Sequence, residues 1–391
     1  TIAKANQVGL IDLHEKLYRR PDLFPDALHP TKEGATIIAK TVYENITQDF
    51  GGLKLAAVFT DNMVLQRNQP ITIYGTANGG DVVEVSFKSQ KKSATTNQYG
   101  KWEVVFPAQT HGGHYEVTIK SYQKNIVLKN ILIGDVWFCS GQSNMAFQLQ
   151  QSENGNEEIK KALPNTAIRL FNFKDLRETD NTVWDSITLA KTNQLEFFSG
   201  SWSVCDSISA KDFSAIAYYF GKNIAHAENI PVGLIQVAVG GSPIESWIDR
   251  YTLEHDDKVV DVLTNWRRSD FIMPWVRERA NMNLKNATNA KQRHPYDPSY
   301  NFEAGVTAFT KFPIKGVIWY QGESNAHNVE LYEHLMPTLV ESWRQAWGTN
   351  LPFYYVQLSS IERPTYPAFR DVQNRLQNKI PNSGMAISMD Y

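Results

Sequence analysis

Cysteine is scarce: Cys139 and Cys205 are the only two in 391 residues. That excludes a disulfide framework and leaves room for one bridge at most. Buried reduced thiols are expected instead, and they leave the compartment open. Charge of one sign is missing too, with 39 basic against 41 acidic residues. No extended field is therefore available to hold nucleic acid or an anionic membrane surface, and a neutral or weakly charged partner is expected. No apolar run approaches the roughly 20 residues that span a bilayer, which speaks against membrane insertion. The start, Thr1-Ile2-Ala3-Lys4, lacks an initiator methionine and a basic-then-apolar segment, so no signal peptide is visible. Because the chain reads as beginning inside a domain, this leaves the destination of the parent protein open.

The length suggests two or three structural units. Residues 31–47 place Ala35, Ile38, Ala39, Val42 and Ile46 on one helical face, with Thr31 as N-cap after Pro30. A piece of about 50 residues cannot bury a core alone, so residues 1–50 read as the tail of a domain whose body lies upstream. Residues 53–130 alternate in short runs (Ile71, Ile73; Val83, Val85, Phe87; Trp102, Val104, Phe106) broken by turn compositions such as Gly79-Gly80-Asp81. That texture predicts an antiparallel β-sandwich. From residue 131 to 391, continuous apolar runs at 136–139, 232–239, 317–320 and 353–358 alternate with helical periods at 212–227, 328–347 and 367–380. An α/β layered domain with buried parallel strands is expected, its last strand at 385–389.

In such sheets reactive groups collect beyond the carboxyl ends of strands. Three loops stand out there. Ser140-Gly141-Gln142-Ser143-Asn144-Met145 places a serine on a sharp strand-to-helix turn, where its hydroxyl is exposed, its own N–H faces a developing oxyanion and the next helix N-terminus adds positive potential. Capping that helix is the competing role for Ser143. Gly240-Gly241-Ser242 offers a close backbone approach and an N–H, or merely a tight turn. In Trp319-Tyr320-Gln321-Gly322-Glu323-Ser324-Asn325 the Gln321 amide is a candidate donor, or else a buried group satisfying loop backbone.

Together these blocks resemble the SGNH hydrolase superfamily, and within it the sialate O-acetylesterase family. The resemblance extends from Leu53 to Tyr391 through Phe59 to Arg67, Gly134-Asp135-Val136-Trp137, Phe213-Ser214-Ala215 and Pro231-Val232-Gly233-Leu234-Ile235. It implies a flavodoxin-like three-layer catalytic domain behind the β-sandwich, no metal or other cofactor, and hydrolysis of acetyl esters on an O-acetylated carbohydrate. It makes Ser143 the nucleophile, and Gly240 or Gly241 with Gln321 the oxyanion donors. Glu323 and Asn325 belong to the same block and read mainly as loop supports beside the substrate. Trp247, Trp319, Tyr320 and Trp275 are candidates for a sugar-stacking wall, with core packing as the competing role. Export to a periplasm or to the cell surface is expected from the resemblance alone.

The departure lies in the base. A serine hydroxyl needs one within hydrogen-bond reach, and this superfamily supplies it as Asp-x-x-His-Pro after the last strand. No such motif follows Met389-Asp390-Tyr391. The motif occurs once, from Asp26 to Pro30, after a predicted strand at Gly9-Leu10-Ile11-Asp12-Leu13. Asp26 and His29 thus look like the acid–base pair of an upstream SGNH esterase domain, and the catalytic domain at 131–391 reads as C-terminally truncated. His226, His255, His294, His327 and His334 fall in predicted helices or insertions and are not expected to serve Ser143. Three readings compete: a sialate O-acetylesterase that is nearly inactive in this form, an acetylxylan or other plant-glycan acetyl esterase, and a catalytically incomplete carbohydrate-binding or scaffold module.

Overall fold

A computed structural model describes residues 5–6, 9–122, 124–162 and 165–388. Met389, the end of the last predicted strand, and Asp390 after it lie outside them. Helix α1 spans Lys32–Thr47, and the Thr31 hydroxyl accepts from the Gly34 N–H as its N-cap. It rests on the protein through Gly34 and Thr41, while Ala35, Ala39 and Ile46 of the expected apolar face stay exposed. Small residues win that contact because they let the helix backbone approach closely. Residues 9–13 form no strand, contrary to expectation, and lead straight into a helical turn at His14–Leu17. A strand needs a neighbour to take its backbone bonds, and none runs beside this segment.

The alternating runs form their strands. Lys54–Leu55, Ile71–Thr76 and Lys101–Phe106 make one antiparallel sheet. Val82–Phe87, Gln90–Thr95 and Gly112–Ser121 join a second sheet whose next member is β1, Lys124–Gly141. That strand spans residue 130, where a change of texture is read in the sequence. It passes without a break through Asn130, where φ is +59°, and continues as the central strand of the α/β region. Gln66 and Arg67 fasten the junction: Gln66 Oε1 accepts from the Val136 N–H, and the Arg67 guanidinium grips the Asp135 carboxylate through two nitrogens. One core cluster accordingly runs from Val83 and Trp102 through to Trp319 and Phe369.

The remaining strands are β2 (Asn165–Asn172), β3 (Trp202–Cys205), β4 (Val232–Ala238), β5 (Gly316–Tyr320), β6 (Phe353–Val356) and β7 (Ser383–Ala386). They align in the order β3-β2-β4-β1-β5-β6-β7, parallel throughout except for β3. Both faces are buried, since Val136 and Phe138 enter one core cluster while Trp137 and Cys139 enter the other. Full burial explains why these strands read as unbroken apolar runs. It also keeps Cys139 and Cys205 as free thiols, and pushes both well above the ordinary thiol range. The chain leaves β1 for β2 and β4 on one side, then returns to β5 on the other. That switch opens a crevice at the carboxyl end of β1, the standard ligand position in open α/β sheets.

Candidate active site

At the end of β1 the chain turns sharply. Gly141 has φ +143°, and a Cβ there would sit 2.1 Å from the Tyr320 carbonyl oxygen. Only glycine passes so close to the neighbouring strand. Helix α2, Ser143–Ala146, follows at once and is a single turn. The N-terminal potential expected of a longer helix is therefore slight, and discrete N–H groups matter more. Ser143 itself is exposed. Its side chain takes no cap bond, because the cap position falls to Gln142, which makes none either.

The three loops are laced together, which fixes where their donors point. Val239 N–H donates to the Gly141 carbonyl at 3.1 Å, and Gln142 N–H to that of Tyr320 at 3.0 Å. Asn144 Nδ2 donates to Glu323 Oε1 at 2.6 Å, and Ser324 Oγ to the Gly241 carbonyl at 2.9 Å. In the diglycine turn the Gly240 carbonyl accepts from Thr179 Oγ1 at 2.6 Å and from Tyr296 Oη at 2.7 Å. That locks the peptide plane, so the Gly241 N–H on its other side has a set direction. Gly241 has φ +74°, with Tyr296 Oη 2.4 Å from where a Cβ would stand; Gly240 has open space. Among the described residues no protein acceptor takes the N–H of Ser143, Gly240 or Gly241.

These three residues line one cavity of about 650 Å³, together with Glu323, Trp275 and Arg279. It is open to solvent and large enough for a sugar unit. Glu323 keeps one oxygen on Asn144, and burial raises its pKa above the ordinary carboxylate range. Among the described residues no histidine lines the cavity. His294 is buried and held neutral, stacked on Trp184 at 4.9 Å; His327 meets the Asp270 carbonyl; His334 pairs with Asp256 at 2.6 Å.

Six expected site residues stand elsewhere. Trp247 is fully buried, edge-on to Trp319 at 5.8 Å, with Nε1 donating to Ser242 Oγ at 2.9 Å. It packs the core and cannot touch a sugar, and the same holds for Trp319. Asn325 is also buried. Its Oδ1 accepts from Ile244 N–H and Gln321 Nε2, and its Nδ2 donates to Glu245. Gln321 spends its amide on Asn325 and on the Ser242 carbonyl, so neither N–H faces the cavity in this structure. These side chains hold the loops and leave the donating to backbone. Asp26 and His29 do form their pair, His29 Nδ1 lying 2.8 Å from Asp26 Oδ2, but on an exposed turn outside the cavity lining. Hydrogen bonds from His29 and Leu28 hold the Asp26 carboxyl down at about 2.

Sequence reasoning missed Arg279, the 172–181 loop and the role of Thr179 and Tyr296. No motif marks them, since their placement depends on loops that meet only in three dimensions. It also passed over Glu245, whose Oε1 is buried without a partner and whose carboxyl burial pushes up to about 7. Between the unfolded value of 4.5 and about 7 the native state holds a proton that the unfolded chain releases. Stability from this group is thus full below pH 4.5 and falls by on the order of 3 kcal/mol as pH rises through 7. Glu245→Gln is expected to remove that slope, narrowing the drop in melting temperature from pH 5 to pH 8, which thermal unfolding at both pH values checks.

A family model described as carbohydrate esterase, sialic acid-specific acetylesterase, matches residues 133–262 and 287–391. Ser143, both glycines, Gln321, Glu323 and Asn325 fall within the match; Trp275 and Arg279 fall between its two parts. The sialate O-acetylesterase of Rattus norvegicus is 28% identical over 383 residues, covering 87% of this chain and 68% of that protein. That of Homo sapiens is 26% identical over 372 residues, covering 87% and 65%. The crystal structure of a novel carbohydrate acetylesterase from Xanthomonas citri superimposes with a TM-score of 0.67 at 25% identity, over 86% of this chain and 68% of that one.

Proposed function

Because this chain belongs to the sialic acid-specific acetylesterase family of carbohydrate esterases, we propose that it removes O-acetyl groups from sugars with Ser143 as nucleophile. The observation that carries the assignment is an exposed serine hydroxyl in a cavity shared with the diglycine turn, beside N–H groups that no protein acceptor uses. In this reading the Ser143 oxygen attacks the acetyl carbonyl and its proton passes to a base. The carbonyl oxygen, now negative, takes N–H bonds from Ser143 and from Gly240 or Gly241, each worth roughly a hundredfold or more in rate. The C–O bond to the sugar breaks as the sugar oxygen is protonated. Water then hydrolyses the acetyl-serine.

Gln321 fits this scheme as a positioning residue, holding the Ser242 carbonyl and Asn325 while the backbone donates. The arrangement is read as the SGNH type, a layered sheet domain behind a β-sandwich arm that shares strand β1. The base is the missing piece. The superfamily pattern places it just after the last strand, and Ser388, at the end of the described chain, interacts with Tyr320 in the third loop. The exposed Asp26–His29 pair is read as the acid–base pair of another esterase unit.

Irreversible labelling tests the nucleophile, because a slow reaction still accumulates product. Treated with a fluorophosphonate, the protein is expected to carry the adduct on Ser143 by peptide mass mapping. An adduct on another serine would refute the assignment. A second reading is a sugar-binding module without turnover, in keeping with a cavity lined, among the described residues, by no histidine. That reading predicts sugar binding with no adduct at all. As to the sugar, the names of the relatives favour sialic acid, with an acetylated plant glycan as the alternative.

A further inference from the structure

Residues 263–286 lie between the two parts of the family match. Within them a helix, α3 (Pro274–Asn283), brings Trp275 and Arg279 to the cavity. The six-membered ring of Trp275 packs on the diglycine turn, its Cη2 3.0 Å from where a Cβ on Gly241 would stand. Arg279 lies over the same indole, 4.9 Å from the ring centroid, and Nε reaches Asn181 Oδ1 at 3.4 Å. At the other end of the helix Asn283 Nδ2 donates to the carbonyls of Asp180 and Thr182, both at 2.7 Å. The helix, from outside the family match, and the 174–181 loop, from within it, thus make one wall.

Charge along the cavity is one-sided. Asp175, Glu178, Asp180, Asp212 and Glu323 line it against Lys174, Arg279 and Arg363. Two of the cations lie over rings, Arg279 over Trp275 and Arg363 over Tyr366 at 5.5 Å, and five acids against three cations leave the lining acidic. Several of the acids have neutral partners: Asp212 accepts from the Gln150 amide, and Asp180 from the Thr182 hydroxyl. The mutual repulsion is visible at Asp175, which burial and the Glu178 carboxylate push up to about 6 while Lys174 opposes them.

We propose that this cavity accepts a neutral acetylated sugar and disfavours one that carries an acid group, with Trp275 as the ring platform and the 175–181 loop as the acceptor of its hydroxyls. The proposal rests on the esterase reading and names the substrate class within it. Ionised carboxylates only accept hydrogen bonds, which suits sugar hydroxyls as donors, and an indole offers an apolar surface to a pyranose ring. A substrate carboxylate would instead meet like charges in a partly desolvated cleft, where repulsion is strong. The family description names an acidic sugar, whereas the acids that line this cavity favour a neutral one.

Calorimetric titration of the chain with a methyl O-acetyl-xyloside and with a methyl 9-O-acetyl-sialoside, at low and moderate ionic strength, decides the matter. The neutral ligand is expected to bind about tenfold more tightly, with no response to salt, while the weak binding of the acidic ligand improves as salt screens the wall. Glu178→Gln combined with Asp180→Asn is expected to strengthen the acidic ligand several-fold and to weaken the neutral one, which loses two carboxylate acceptors. Trp275→Leu is expected to weaken the neutral ligand by about tenfold. Equal affinities, or tighter binding of the acidic sugar that salt weakens, would overturn the proposal. Failure of the esterase reading shows separately, as fluorophosphonate labelling away from Ser143.

Discussion

Fusing an Asp-x-x-His-Pro segment after Tyr391 is expected to raise acetate release from an acetylated sugar by about a millionfold over the 391-residue chain. The size follows from the cavity. Its preformed N–H donors and its binding surface remain, and such parts alone sustain about a thousandfold over water in a disabled serine hydrolase. What the cavity lacks among the described residues is an imidazole to accept the Ser143 proton, and a hydroxyl at its ordinary pKa is a poor nucleophile. Strand β7 lies beside β6, and Ser388 reaches Tyr320, whose carbonyl holds Gln142 next to the nucleophile. A segment grafted there starts at the rim of the site. Steady-state acetate release by the two forms gives the answer. A fused form no faster than the chain itself would show that the cavity is not the catalytic site.

Ser143→Ala gives the second large effect, and its size depends on the background. In the fused form it is expected to remove essentially all of the gain, about a millionfold in kcat, because nucleophile and base act as one unit. In the 391-residue chain the same substitution is expected to change the residual rate little. Serine without its base contributes almost nothing, so the two losses do not add. Measuring kcat for all four combinations tests the coupling directly. A large loss from Ser143→Ala in the unfused chain would mean that another residue already serves as base. The exposed side chain makes a folding defect unlikely to mimic the result, and an unchanged melting temperature verifies that.

Much of the sheet was legible because buried parallel strands leave unbroken apolar runs. The runs at 232–239 and 317–320 became strands within a residue or two of their expected bounds, and the run at 136–139 is the last part of the longer β1. The long passage of β1 through Asn130 was not, since a polar pair, Lys129 and Asn130, looks like an end when the neighbouring strands are unseen. The stacking wall was half wrong for a related reason. A tryptophan beside such a loop has the same sequence whether it lines the cavity, as Trp275 does, or the core, as Trp247 does.

By itself the sequence determined the family and the three loops at strand ends, with a serine in the first, because each depends on local pattern and chemistry read along the chain. Tertiary structure alone decided which side chains face the cavity, that Gln321 and Asn325 turn inward to hold the loops, and how charge is distributed on the wall. Those outcomes depend on distances between segments up to two hundred residues apart, and hydrogen bonds and Coulomb forces act through space.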